Sequence, residues 1–248
     1  MTFDPFGDFG TRGYLRNSAG LHDPAAVKAF EHAAFLDKLD DAFTHLRGIK
    51  ALTYADVLAV HGILFGDVYP WAGQDRVQTA PDIAVTKGTV LFAHPNDVRA
   101  AIDYALRLGQ DATIMGRKPG EVMGYLAYGH PFLDGNGRTI MTVHAVLAER
   151  AGISIDWAAT DKVDYLTALT RELDEPGKGH LDAYLKPFIG TSIGQSRLAG
   201  HLTRTAGLDG LSRQPSAANE IAGKFSDPAV QARYRLLQQR RSRNDPKP

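Results

Sequence analysis

The chain has 248 residues, 44% of them hydrophobic, with 28 basic and 28 acidic side chains and no cysteine. That length and apolar content suffice for one large core, and the zero formal charge argues against a global field for nucleic acid or an anionic membrane. The missing cysteine excludes disulfides, thiolate metal sites and a thiol nucleophile, and is compatible with a reducing or an oxidising compartment. MTFDPFGDFG lacks a basic region and an apolar signal core, and no uncharged apolar run approaches the roughly 18 residues of a membrane span. The expectation is a soluble, cytoplasmic protein, compatible with export by a dedicated secretion system.

Residues 1–20 are rich in Gly and aromatics and read as an irregular or hairpin-forming lead-in. Asp23 before Pro24 predicts a helix start, followed at helical spacing by Val27, Phe30, Ala34, Leu36, Leu39, Phe43 and Leu46. Thr53 predicts the cap of a second helix with Val57, Val60 and Ile63, ending near Gly66. YPWAGQDR is rich in turn formers. IAVTKGTVLFA, residues 83–93, has β-branched runs either side of Lys87 and Gly88 and predicts a short hairpin, the one firm strand pair. Asn96 opens a helix through Val98 and Leu108, and residues 119–129 continue the apolar period. Arg138 to Arg150 reads as helical, with Ile140, Val143, Val146 and Leu147 on one face. Thr160 starts a further helix through Leu169, and Leu181, Tyr184 and Leu185 predict one more, ending near Phe188. The fold class expected is mainly α, a helical bundle carrying one small hairpin. Residues 1–190 are expected to form one domain and 191–248 a helical extension ending in the basic RYRLLQQRRSRN, first of all a solvated tail. No repeat of 20–50 residues occurs.

HPFLDGNGRTIMTVH, residues 130–144, interrupts the helical pattern and feeds a loop into a helix N-terminus, where unpaired N–H groups and the dipole favour anions. Gly135 and Gly137 allow positive φ and close approach to a phosphate, and Arg138 adds a forked, permanently charged contact. The alternative is a loop that merely joins two helices. Asp134 beside such a cradle suits Mg²⁺, which takes one carboxylate together with phosphate oxygens; the alternative is a helix cap. His130 can accept a proton from a hydroxyl, although a lone histidine is more often structural. Together these are the parts needed to transfer a phosphoryl or nucleotidyl group. There is no GxxxxGK[ST] loop and no HExxH zinc spacing.

HPFLDGNGR resembles the Fic motif HxFx(D/E)GNGR at every specified position. LFGDVYPWAGQDR (64–76), VTKGTVLFAHPNDV (85–98) and GYLRNSAGLHDPAAVKAFE (13–31) also resemble the family, so the likeness runs over about residues 11–190. The resemblance implies a Fic-like helical bundle whose members move AMP from ATP to a hydroxyl of a target protein. It implies that His130 is the general base, Asp134 holds Mg²⁺, Gly135, Asn136 and Gly137 form the anion hole, and Arg138 contacts the phosphates. Phe132 matches the aromatic position that anchors the loop. Lys87, Gly88 and Thr89 correspond to a flap that pairs with an extended segment of the target, a Ser, Thr or Tyr carrier, by main-chain hydrogen bonds.

The longer family motif ends GNGRxxR, but here the last position is Met141, which can neither hold a γ-phosphate nor pair with an inhibitory glutamate. SAANEI, residues 216–221, matches the inhibitory pattern [ST]xxxE[GN] through Ser216 and Glu220; an ordinary amphipathic helix is the favoured reading of that segment. An antitoxin-like partner could supply the inhibitory helix in trans. The other readings are a Fic-type phosphotransferase, disfavoured because Gly137 is retained, removal of AMP, and a non-catalytic Fic-fold binding module. A nucleic-acid partner for the basic tail is the less favoured alternative, and no membrane partner is expected.

Overall fold

The computed structural model describes residues 4–7, 13–87, 90–205, 207–208 and 220–244. Helix α1 (Pro24–Arg47) starts where Asp23 caps it, its carboxylate accepting from the Ala26 N–H at 2.8 Å, with Pro24 set at the first turn, where no amide is needed. Helix α2 (Tyr54–Phe65) is opened by Thr53 and Asp56, whose carboxylate accepts from the Thr53 amide at 2.7 Å, and it ends at Gly66. A short turn α3 (Arg76–Thr79) is capped by Asp75. The expected hairpin follows as β1 (Ile83–Lys87) and β2 (Val90–Leu91), antiparallel with Thr86 opposite Leu91. Gly88 and Thr89 at its tip lie outside the described residues.

Helix α4 (Pro95–Gln110) begins one residue before Asn96. The cap is His94, whose Nδ1 accepts from the Asn96 amide at 3.1 Å, because Pro95 favours the first helical position. After α5 (Ala112–Arg117) come α6 (Pro119–Gly129) and α7 (Asn136–Arg150), the two helices either side of the HPFLDGNGR loop. Every residue of α6 is buried, so it runs through the middle of the bundle and supports the loop from within. The lead-in is irregular over residues 13–17, as read from its glycines.

Strands β3 (Ile153–Ile155) and β4 (Ile189–Thr191) pair across α8 (Lys162–Asp174) and α9 (His180–Leu185). This second small sheet was not predicted, since three-residue strands carry too short a pattern to read. The expected domain boundary at 190 falls inside β4. Beyond it, Glu149 accepts from the amides of Ile193 (3.1 Å) and Gly194 (2.8 Å), and Leu198 and Leu202 of α10 (Leu198–Leu202) pack into the main core.

The C-terminal part differs most from its sequence reading. Glu220, expected on a helix, begins strand β5 (Glu220–Lys224), which pairs antiparallel with β1 and extends the hairpin to three strands in the order β2-β1-β5. Pairing with an existing strand satisfies backbone groups that a marginal helix would have to satisfy alone, so tertiary context overrides the local pattern. Helix α11 (Pro228–Asn244) then carries the basic stretch. Among the described residues no helix is long and apolar enough to cross a membrane.

Candidate functional site

The site lies where α6 ends. His130 closes that helix in the left-handed conformation (φ 42°, ψ 59°), which turns the chain sharply into the loop. Its side chain is largely buried, 7% exposed, and its ring stacks on Phe92 of the flap segment with centroids 3.6 Å apart. Its carbonyl accepts from Arg76 Nε at 2.7 Å, and Arg76 Nη2 donates to the Ala93 carbonyl at 2.7 Å. The Arg76 amide also donates to the Pro131 carbonyl. One fully buried arginine therefore ties the motif loop to the flap, and burial lowers its pKa to about 10.

The next positions hold the loop rather than react. Phe132 is fully buried and stacks on His61 at 3.7 Å, the anchoring expected of it. Asn136 accepts from the Phe132 amide (2.9 Å) and donates to its carbonyl (2.7 Å), closing the loop on itself. With that side chain engaged, Asn136 has its backbone left to offer an anion. Gly135 sits at φ 76°, and an added Cβ would lie 2.6 Å from the Phe65 ring, so two constraints require glycine there. Gly137 does not have the positive φ expected of it: it is an ordinary helical residue in the first turn of α7, and a Cβ added to it would meet nothing within 4 Å. Its glycine leaves open space over the helix N-terminus, which carries no side-chain cap.

Asp134 does not cap α7, which was the competing reading of it. Its Oδ1 accepts from the adjacent Gly135 amide at 2.6 Å, while Oδ2 takes Lys28 Nζ at 2.9 Å and Arg138 Nη2 lies 4.0 Å from Oδ1. Burial opposes its ionisation, but Lys28 and Arg138 outweigh that and hold its pKa below the usual carboxylate range. Arg138 donates to Glu31 Oε2 at 3.0 Å and covers the face of the Phe65 ring at 4.5 Å. Lys28 bridges Glu31 (2.8 Å) and Asp134, and although burial lowers its pKa, the two carboxylates raise it overall.

Glu31 and Lys28 were missed in the sequence. The signal was present: Glu31 lies on the face of α1 that carries Val27, Ala34 and Phe35, where a carboxylate has no business without partners. Glu31 is 0% exposed and accepts from Lys28, Arg138 and the Tyr69 hydroxyl. Glu31→Gln is expected to cost about 3 kcal/mol of stability, because it leaves the Arg138 guanidinium partly buried without its carboxylate. Urea unfolding measures this, and a loss under about 1 kcal/mol would show the network to be dispensable.

His61 fixes the other side of the loop. Its Nδ1 accepts from the Gly73 amide (2.9 Å), so Nε2 carries the proton and donates to the Asp134 carbonyl (3.0 Å). Burial lowers its pKa to about 3, and burial likewise lowers that of His144, bonded to the Pro119 carbonyl, to about 4. Both values lie below that of an unfolded histidine, about 6.5, so as pH falls the unfolded state takes up protons that the folded state refuses. Stability is therefore expected to fall from about pH 6.5 towards pH 4, with a slope approaching 2.7 kcal/mol per pH unit, roughly two protons. Denaturant melts at pH 7.5, 6 and 5 measure the slope; constant stability over that range would contradict it.

A divalent ion here would have one carboxylate from the chain, Asp134, whose side chain is 30% exposed. Among the described residues no cluster of three His, Cys, Asp or Glu could hold a metal by itself. That donor set suits Mg²⁺ carried in on a nucleotide, where phosphate oxygens and water complete the shell, and does not suit a resident structural metal. Met141 is buried in the main core one turn after Arg138. Lys87 lies at the end of β1 and Glu220 opposite Thr86 in β5.

Residues 51–148 match the family model described as Fic/DOC family. The chain is 32% identical over 175 residues to a protein named protein adenylyltransferase VbhT from Bartonella schoenbuchensis, covering 66% of this chain and 35% of that protein. It is 28% identical over 167 residues to a protein from Sinorhizobium fredii named "Probable protein adenylyltransferase y4lH", covering 63% of this chain and 82% of that one. The fold is similar to the BepC protein of Bartonella tribocorum with bound AMPPNP (TM-score 0.57, 17% identity, 71% of this chain and 92% of that one). It is also similar to the N-terminal Fic domain of a VirB-translocated Bep effector from Bartonella quintana with bound ADP (TM-score 0.60, 20% identity, 76% of this chain and 96% of that one). The HPFLDGNGR loop, held between two helices with the hairpin segment stacked on its histidine, lies inside the segment, residues 51–148, that matches the Fic/DOC family model.

Proposed function

We propose that the chain is a protein nucleotidyltransferase that moves AMP from ATP to a hydroxyl of a target protein. The observation that carries the reading is the N-terminus of α7, which no side chain caps, which is open at Gly137 and which is flanked by Arg138 and Asp134 directly after the His130 turn. Its backbone amides and dipole suit an anionic phosphate, and the open space at Gly137 suits close approach. The relatives named as adenylyltransferases support the nucleotidyl group as the part transferred.

In this reading His130 takes the proton of the target hydroxyl as its oxygen attacks the α-phosphorus. The bond from that phosphorus to the bridging oxygen breaks, pyrophosphate leaves, and AMP stays on the target. Amides of Asn136 and Gly137 take up charge on the α-phosphate oxygens, joined by that of Gly135 when Asp134 turns from it to the metal ion, and Arg138 orients the phosphates. Asp134 would hold Mg²⁺, which neutralises phosphate charge when bound. The flap aligns an extended segment of the target by main-chain pairing along β1. Inhibition through Glu220 or by a partner chain, an antitoxin, stands as a further element of the proposal.

The test is incubation with Mg²⁺, cell lysate and ATP labelled at either the α- or the γ-phosphate. Label from the α-position is expected in protein; γ-label alone would replace this reading with phosphoryl transfer. No nucleotide turnover and no effect of His130→Ala would leave a Fic-fold binding module.

A further inference from the structure

The edge of β1 that a target strand would use is already filled by this chain. β5 pairs with β1 as Ile83 opposite Lys224, Ala84 opposite Gly223, Val85 opposite Ile221 and Thr86 opposite Glu220, and the Phe225 amide donates to the Asp82 carbonyl at 2.9 Å. The register shifts between Ala84 and Val85, where Gly223 takes φ 131°. An exposed edge of unpaired amides and carbonyls is a template for any extended segment, and here one arrives from more than 130 residues further along the chain.

A latch holds it. Val230 and Tyr234 of α11 bury against Ala84 and Leu91 of the flap in a cluster of their own, with Phe225 alongside, while Leu237 packs both on this cluster and on the main core. The Tyr234 hydroxyl donates to the Phe92 carbonyl, and His94 faces Phe225 at 4.1 Å. Phe92 is the residue whose ring stacks on His130, so the latch grips the flap beside the reacting histidine. Four buried side chains against the large main core make a unit that can detach while the bundle stays folded. The strand itself reads Glu-Ile-Ala-Gly-Lys and carries no hydroxyl that could accept a transferred group.

We propose that residues 220–244 are a tethered stand-in for the target: β5 fills the docking edge, α11 latches it, and a target segment gains the edge by displacing them. This rests on the reading of the flap as the docking edge. Tethering gives β5 a high effective concentration, so a weakly pairing segment is kept out and a well-matched one is admitted.

Two full-length variants test it. Val230→Asp puts a charge into the latch. Ile83→Cys with Lys224→Cys places the only two cysteines of the chain at directly opposed positions, so that oxidation locks β5 in place and dithiothreitol releases it. The docking probe is a fluorescein-labelled peptide of residues 220–227, EIAGKFSD, read by anisotropy. It is expected to bind Val230→Asp at least ~10-fold more tightly than wild type, and to bind the cysteine variant when reduced and not when oxidised. Transfer of α-label from ATP into lysate protein is expected to rise about fivefold in Val230→Asp and to fall at least ~10-fold on oxidation, with AMPPNP binding unchanged in both. The proposal is overturned if the cysteine pair does not oxidise, or if its locked and released forms take up the peptide equally. It is overturned too if Val230→Asp loses hydrogen-exchange protection over 83–87 and 220–224 yet binds no more peptide. Peptide binding as expected, with no α-label in any form, would instead sink the transferase reading and leave the docking proposal standing.

Discussion

His130→Ala is expected to cut transfer of the α-label by about 10²- to 10⁴-fold, the range for removal of a positioned general base. Nucleotide binding should change little, because the cradle is built from Gly135 to Arg138 on the other side of the turn. The fold has its own stake in this residue: it holds a left-handed turn and stacks on Phe92. Alanine at positive φ costs about 1–2 kcal/mol and loses the ring contact, so part of the lost activity could come from a displaced loop. Asparagine tolerates that backbone and cannot take the proton, so His130→Asn should recover most of the melting temperature and none of the turnover. If His130→Asn transferred AMP within tenfold of wild type, His130 would be a structural residue and not the base.

Arg76→Met is expected to be the most destabilising single change near the site, costing about 3–5 kcal/mol, the loss typical of breaking a buried charged network. Two carbonyls, those of His130 and Ala93, lose their donor at once, each worth about 1–3 kcal/mol when left unsatisfied. Relief of the buried guanidinium's desolvation offsets part of this, as its lowered pKa indicates. For a chain of this size the melting temperature should drop by roughly 6–20 °C. The functional effect should fall on kcat more than on nucleotide affinity, since Arg76 sets the relation of His130 to the flap and touches no part of the cradle. Unchanged stability would mean that the two carbonyls find other donors and that the clamp is not what holds the loop.

Local chemistry made several elements legible beforehand. Asp23 with Pro24 and Thr53 with Asp56 satisfy the first amides of their helices, and those helices begin where these residues stand. The β-branched runs beside Lys87 were enough for the hairpin. Where a partner comes from far along the chain, the reading fell short. Arg76 was visible only as part of a turn-rich stretch, and its roles depend on carbonyls 54 and 17 residues away. Glu31 and Lys28 reach Asp134 and Arg138 across more than 100 residues.

Caps, turns and periodicity act within a few residues, so the helical class, the hairpin and the ordered run of histidine, carboxylate, glycines and arginine in HPFLDGNGR are legible without any distant partner. Three other features depend on contacts between distant parts of the chain. Gly137 is a helical residue guarding open space, and Asp134 pairs with Lys28 instead of capping α7. Residues 220–224 form a strand, because β1 offered backbone partners that no local pattern around Glu220 records.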